Sequence, residues 1–184
     1  MILFPPNFAQ VTAGLYRSGS PGAFMPERAR ARFAQAIGLK TVVRLSGEEG
    51  DATWPRGVRA MSLPGLRPVM SRQMWGRWKA ILEDRSNWPI LVHCRMGAER
   101  TGVYVAHAET WLKIPREIVR GRLQKYGEGF WPPNRDLYHL HHSLRDLEGL
   151  GDVLPDEDVR RFLRIDDYED LDDYINDQAE WSPS

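Results

Sequence analysis

The feature that most constrains this chain is the run PILVHCRMGAERTGVYVAHAETW, residues 89–111. Its first part, PILVHC, is short and continuously apolar, the composition of a strand buried on both faces. From Arg100 onward the run has the length and apolar content of a mostly buried helix. Only Arg95, Met96, Gly97, Ala98 and Glu99 remain to turn the chain between them. A strand entering a helix across so short a turn is a unit of α/β architecture, where ligands gather at the carboxyl ends of strands. Cys94, the single cysteine of the 184 residues, stands at such an end.

The rest of the chain alternates in the same way. VTAGLYRSGSP (11–21) reads as a strand running into a loop. Pro26 opens a helix through ERARARFAQAI, and Gly38 stops it. KTVVRL (40–45) and VRAMSL (58–63) read as strands. From Ser71 a helix is expected, with Met74, Trp75, Trp78, Ile81 and Leu82 on one face. PREIVRGRLQKY opens at Pro115 and closes at Gly127. In PPNRDLYHLHHSLRDLEG, Leu137, Leu140, Leu144 and Leu147 form one stripe. The expectation is a single α/β domain over residues 1–154, with a central, mostly parallel sheet flanked by helices.

Residues 155–184 differ in kind. They hold eleven acids and three arginines, so this tail carries −8 and the remaining body +8 within a neutral chain. A basic body suits an anionic substrate. The tail reads either as amphipathic helix docked over the site as a competing anion, or as a solvated or partner-binding segment. The lone cysteine excludes an internal disulfide and a thiolate-rich metal cage. It favours a reducing compartment, and a cytoplasmic location is expected. MILFPPNF is too short, and lacks the basic leader, for a signal peptide. No apolar run approaches the ~20 residues of a membrane span. Neither zinc-finger spacing nor an RNA-binding aromatic pattern is present, so no nucleic-acid partner is expected. The oligomeric state is not readable.

The turn itself carries the chemistry. Backbone N–H groups in such a loop can converge on one point, where the free N–H groups and dipole of a helix start add positive potential. A thiol there gives up its proton more readily than a free one. Arg100 can fork onto two phosphate oxygens, which a lysine could not copy. Gly97 permits close approach or positive φ, and Thr101 brings a hydroxyl toward the sulfur. These parts describe nucleophilic phosphoryl transfer: thiolate attacks phosphorus, a cysteinyl-phosphate forms, and water releases it. Arg100 and the amides of Arg95, Met96, Gly97 and Ala98 would hold the equatorial oxygens. Arginine and amides supply the positive field, so neither metal nor cofactor is expected.

HCRMGAERTG resembles the signature of the cysteine-based phosphatases: His-Cys, five residues, Arg, Ser or Thr, Gly. NFAQVTAGLYRSGSP (7–21) resembles the opening of the atypical dual-specificity group of plants, fungi and bacteria, and PPNRDLYHLHHSL lies about where that fold has a Pro-Asn turn and closing helix. The resemblance implies a cysteine-phosphatase fold over roughly residues 7–148. By the same carry-over, Cys94 is the nucleophile and Arg100 the phosphate clamp. Thr101 assists breakdown of the phosphoenzyme, and His93 orients the loop through hydrogen bonds. The implied activity is that of a protein tyrosine or dual-specificity phosphatase acting on a phosphorylated protein or small phosphate ester. The alternatives are an inositol phosphate or phosphoinositide phosphatase, or a low-turnover phosphate-binding module.

One departure concerns the general acid, which protonates the leaving oxygen and typically contributes about 10²–10⁴-fold. The family takes an aspartate from the loop after the strand matching VRAMSL, but here that loop, PGLRPVMSRQ, has no carboxylate. Glu99 could serve; Glu48, Glu49 or Asp51 could reach over; or the acid is lost. Arg17 and Arg44 read either as pocket residues or as surface and structural arginines. Arg95 would face solvent or a second anionic group. Trp75 and Trp78 are expected in the core, while Trp54 and Trp131 could flank a substrate ring. His139, His141 and His142 fit one helix face poorly and read as solvated rather than metal-binding.

Overall fold

The computed structural model describes residues 2–46, 53–63 and 72–127. A five-stranded sheet lies at its centre: β1 (Ala9–Thr12), β2 (Leu15–Ser18), β3 (Thr41–Arg44), β4 (Arg59–Ser62) and β5 (Ile90–His93), in the order β1-β2-β5-β3-β4. Three pairings are parallel, with Ser18 and Arg44 both level with His93. The fourth, β1 with β2, is antiparallel. The mostly parallel sheet expected from the sequence is therefore present, with one correction. Residues 11–18 are not one strand but the two arms of a hairpin. The chain reverses at Ala13-Gly14, where Gly14 takes φ +81°, a value glycine adopts without steric cost.

The helices are α1 (Pro21–Phe24), α2 (Glu27–Ala36), α3 (Arg72–Glu83), α4 (Glu99–Trp111) and α5 (Arg116–Gly127). They cover both faces of the sheet, as parallel strands buried on each side require. Val42 and Leu91 turn to one face and meet Phe33, Ala34 and Leu39 at α2. Val43, Ile90 and Val92 turn to the other and meet Trp78, Leu82, Val103 and Tyr104 of α3 and α4. Trp78 is fully buried, and its indole N–H donates to Tyr104 O at 2.9 Å. Trp75 packs against the same core. The expected core face of α3 is thus observed. Trp54 packs on the α2-side cluster. The leucine stripe, the three histidines, Trp131 and the acidic tail lie outside the described residues.

Candidate active site

β5 is buried along its whole length and delivers Cys94 to the carboxyl edge of the sheet. Residues 94–98 then turn the chain into α4, whose N-terminus has no side-chain cap. Gly97 makes the turn possible, with φ +77°. The loop rests on the end of β2 so closely that a Cβ on Gly97 would overlap Gly19 N and Ser18 C.

Three consecutive carbonyls of the loop are held from behind. Ser20 N donates to Arg95 O at 2.8 Å. Asn7 Nδ2 donates to Met96 O at 2.9 Å, and Arg17 Nη2 to Gly97 O at 2.6 Å. In a trans peptide the C=O and the following N–H point in opposite directions. Holding the carbonyls of 95, 96 and 97 therefore turns the N–H groups of Met96, Gly97 and Ala98 toward the other side of the loop. The sulfur is on that side: Gly97 N–H donates to Cys94 Sγ at 3.3 Å. Cys94 is only 5% exposed, yet its side chain meets a main-chain donor rather than hydrocarbon alone.

Thr101 is fully buried in the first turn of α4. Its hydroxyl oxygen accepts from the Cys94 backbone N–H at 2.8 Å, so it ties the base of the loop to the helix. The sequence placed the hydroxyl near the sulfur; the contact observed is to the amide of the same residue. Glu99 and Arg100 are both half-buried at the helix start. Arg95 is exposed in the loop. Among the proposed acids, Glu48, Glu49 and Asp51 lie outside the described residues.

His93 Nδ1 lies 3.4 Å from Cys94 O, a contact in which the carbonyl can only accept. Burial pushes the imidazole down from 6.5 to about 4, against the pull of that carbonyl, so the ring is neutral at physiological pH. Between these values the unfolded chain binds the proton and the native chain does not, so stability falls as pH drops from 6.5 to 4. The loss attributable to His93 reaches about 3 kcal/mol. Glu109, buried and raised by desolvation, acts in the opposite sense above the usual carboxylate range. The comparison of wild type with His93→Asn therefore isolates the histidine. The variant should show a flatter dependence of the unfolding midpoint between pH 6.5 and 4; equal slopes would contradict this assignment.

Arg17 is the residue whose place the sequence did not settle. It is neither at the surface nor loosely structural: it is 1% exposed and holds the loop. The available signal was its phase, since Arg17 shares a strand face with buried Leu15. Arg44, half-buried, ends β3 level with His93. Asn7, in a turn at φ 52°, had no comparable signal. A groove of about 530 Å³ between α2 and residues 55–58 opens at the opposite ends of the strands and is lined by no cysteine, serine or threonine.

This architecture is the fold of the cysteine-dependent phosphatases. The core catalytic domain of the PP-IP phosphatase SIW14 from S. cerevisiae, solved with citrate, superposes with TM-score 0.59 and 18% identity, over 76% of this chain and 87% of that one. In sequence the chain is similar to the "Putative tyrosine-protein phosphatase OCA1" of Debaryomyces hansenii. It is 32% identical over 119 residues, which cover 56% of this chain and 58% of that protein. It is also similar to the inositol diphosphatase DSP4 of Arabidopsis thaliana, 28% identical over 113 residues, or 55% of this chain and 54% of that protein. The chain thus spans somewhat over half the length of these curated relatives. No protein-family model matches it. Among the described residues, no helix is long and apolar enough to cross a membrane.

Proposed function

We propose that the protein hydrolyses phosphate monoesters through a cysteinyl-phosphate on Cys94. The observation that carries this reading is the loop whose carbonyls are held from behind while a main-chain N–H reaches Cys94 Sγ. An anion seated over the sulfur would meet the N–H groups of Met96, Gly97 and Ala98 and the uncapped start of α4, donors that need no rearrangement as charge develops. Arg100, in the first turn of that helix, clamps two equatorial oxygens. The sulfur attacks phosphorus, the ester oxygen leaves, and water then cleaves the S–P bond, returning the thiolate and inorganic phosphate. Thr101, bound to the Cys94 amide, keeps the nucleophile in register with α4. Glu99 is the acid candidate at the helix start, with Glu48, Glu49 and Asp51 as the others. The single thiol must stay reduced to act, which favours a reducing compartment such as the cytoplasm.

The leading substrate class is phosphotyrosine in protein, with dual specificity. A phenolate leaves without protonation more easily than an alkoxide, which fits the missing acid in the loop after β4. The name of the Debaryomyces relative agrees. The second reading, an inositol phosphate or diphosphate, is favoured by the exposed Arg95 of the same loop and by the names of the Arabidopsis and S. cerevisiae proteins. A panel of tyrosine and serine phosphopeptides against inositol phosphates and diphosphates separates them. The first reading expects kcat/KM on phosphotyrosyl peptides to exceed that on the inositol compounds by at least about tenfold. The reverse order would establish the second. Turnover of none of them, or of p-nitrophenyl phosphate, would leave a phosphate-binding module. Comparing pH profiles of Glu99→Gln and Asp51→Asn locates the acid, because its loss removes the basic limb.

A further inference from the structure

We propose that Arg17 is a positioning residue that holds and polarises the phosphate-binding loop through the Gly97–Ala98 peptide. The proposal rests on the phosphatase reading above and adds to it a residue outside the signature. Of the three donors behind the loop, two are neutral, the Ser20 amide and the Asn7 carboxamide; the third is a guanidinium. Its carbonyl partner belongs to the same peptide as the Ala98 N–H, which opens the helix start. A cation on the carbonyl draws electron density through the peptide and makes that N–H a stronger donor to an anion. The effect grows with the charge that must be held, so it acts more on the transition state than on bound phosphate.

The guanidinium is itself fixed from several sides. β2 places it on the α4 face of the sheet, beside Val92 of β5. Its Cζ lies 4.0 Å from the centroid of the Tyr126 ring on α5, a face that accepts the planar cation. The buried Glu109 carboxylate of α4 feels its charge and is paired with Arg122 of α5, which also donates to Val11 O at 3.1 Å. The hairpin, α4 and α5 thus meet around one arginine, whose guanidinium also bonds the loop.

The test compares wild type with Arg17→Met, Arg17→Lys and Tyr126→Leu, using p-nitrophenyl phosphate as substrate. The inhibition constants of orthovanadate, which takes the five-coordinate geometry, and of inorganic phosphate are measured beside thermal unfolding. An inhibition constant does not depend on how many molecules are folded, so it separates a weakened loop from a weakened fold. Arg17→Met should lower kcat by about tenfold or more and weaken orthovanadate by a similar factor, with a smaller change for phosphate. Arg17→Lys should be intermediate, because it keeps the charge but loses the fork and the stacking plane. Tyr126→Leu should move the same constants in the same direction. An unchanged orthovanadate constant in a folded Arg17→Met protein would overturn the proposal. If that variant does not fold, unchanged constants in both others would overturn it equally. A wild type that neither turns over the substrate nor binds orthovanadate would instead overturn the phosphatase reading, and this role with it.

Discussion

Cys94→Ser is expected to lose at least about 10⁴-fold in kcat toward every phosphate ester the wild type hydrolyses, a range seen when a covalent nucleophile is removed. The two side chains differ by one atom, so the protein should fold with its loop in place. An alcohol, however, supplies almost no anion at neutral pH, whereas a thiol ionises near 8.5 even without help. The Gly97 N–H that meets Sγ would remain, as would the amides of Met96 and Ala98 and the Arg100 guanidinium. Binding of phosphate should therefore change little while turnover disappears. A serine variant hydrolysing p-nitrophenyl phosphate at more than about a hundredth of the wild-type rate would be incompatible with covalent catalysis at this position.

Gly97→Ala should damage fold and activity together. The new methyl would overlap Gly19 N and Ser18 C and stand 2.6 Å from Ser18 O. All of these atoms are backbone of β2 and its exit, so no side chain can swing aside. The residue must also hold φ +77°, which costs an L-residue roughly 1–2 kcal/mol, and overpacking adds about 1–3 kcal/mol. The sum corresponds to a fall in Tm of roughly 10 °C for a chain of this size. Because relief requires the loop to lift from Ser18 and Gly19, the Arg17 contact to Gly97 O would be the first lost. The folded fraction should bind orthovanadate at least about tenfold more weakly. Wild-type Tm and affinity in this variant would mean that the loop does not lie against β2 as described.

How far the structure was legible follows from the range of each interaction. PILVHC and the helix after it were readable because apolar composition and length are local properties. Trp75 and Trp78 reached the expected core because helical spacing fixes a shared face. The hairpin at Ala13-Gly14 was not readable: its turn lacks the Asn-Gly or Asp-Gly pair that marks such reversals. The short α1 carries no period, being four residues long. Cys94, Gly97 and Thr101 declared themselves through spacing, but which atom each would touch did not. Thr101 binds a main-chain amide, a choice set by the angle at which α4 leaves the loop. Arg17 meets its carbonyl 80 residues away, and only the order β2-β5 in the sheet creates that contact. The acid could not be assigned from sequence because three of its four candidates belong to a segment that no spacing rule ties to Cys94.

The central claim, a covalent bond between Cys94 sulfur and phosphorus during turnover, is tested most directly by quenching the enzyme with substrate in the steady state and mapping phosphoryl adducts by mass spectrometry, with phosphorus NMR to identify the linkage. A phosphoryl group on sulfur is expected on the peptide bearing Cys94, absent from Cys94→Ser and lost when substrate is exhausted. Sustained turnover with no adduct on that sulfur, or with the label on another residue, would contradict it.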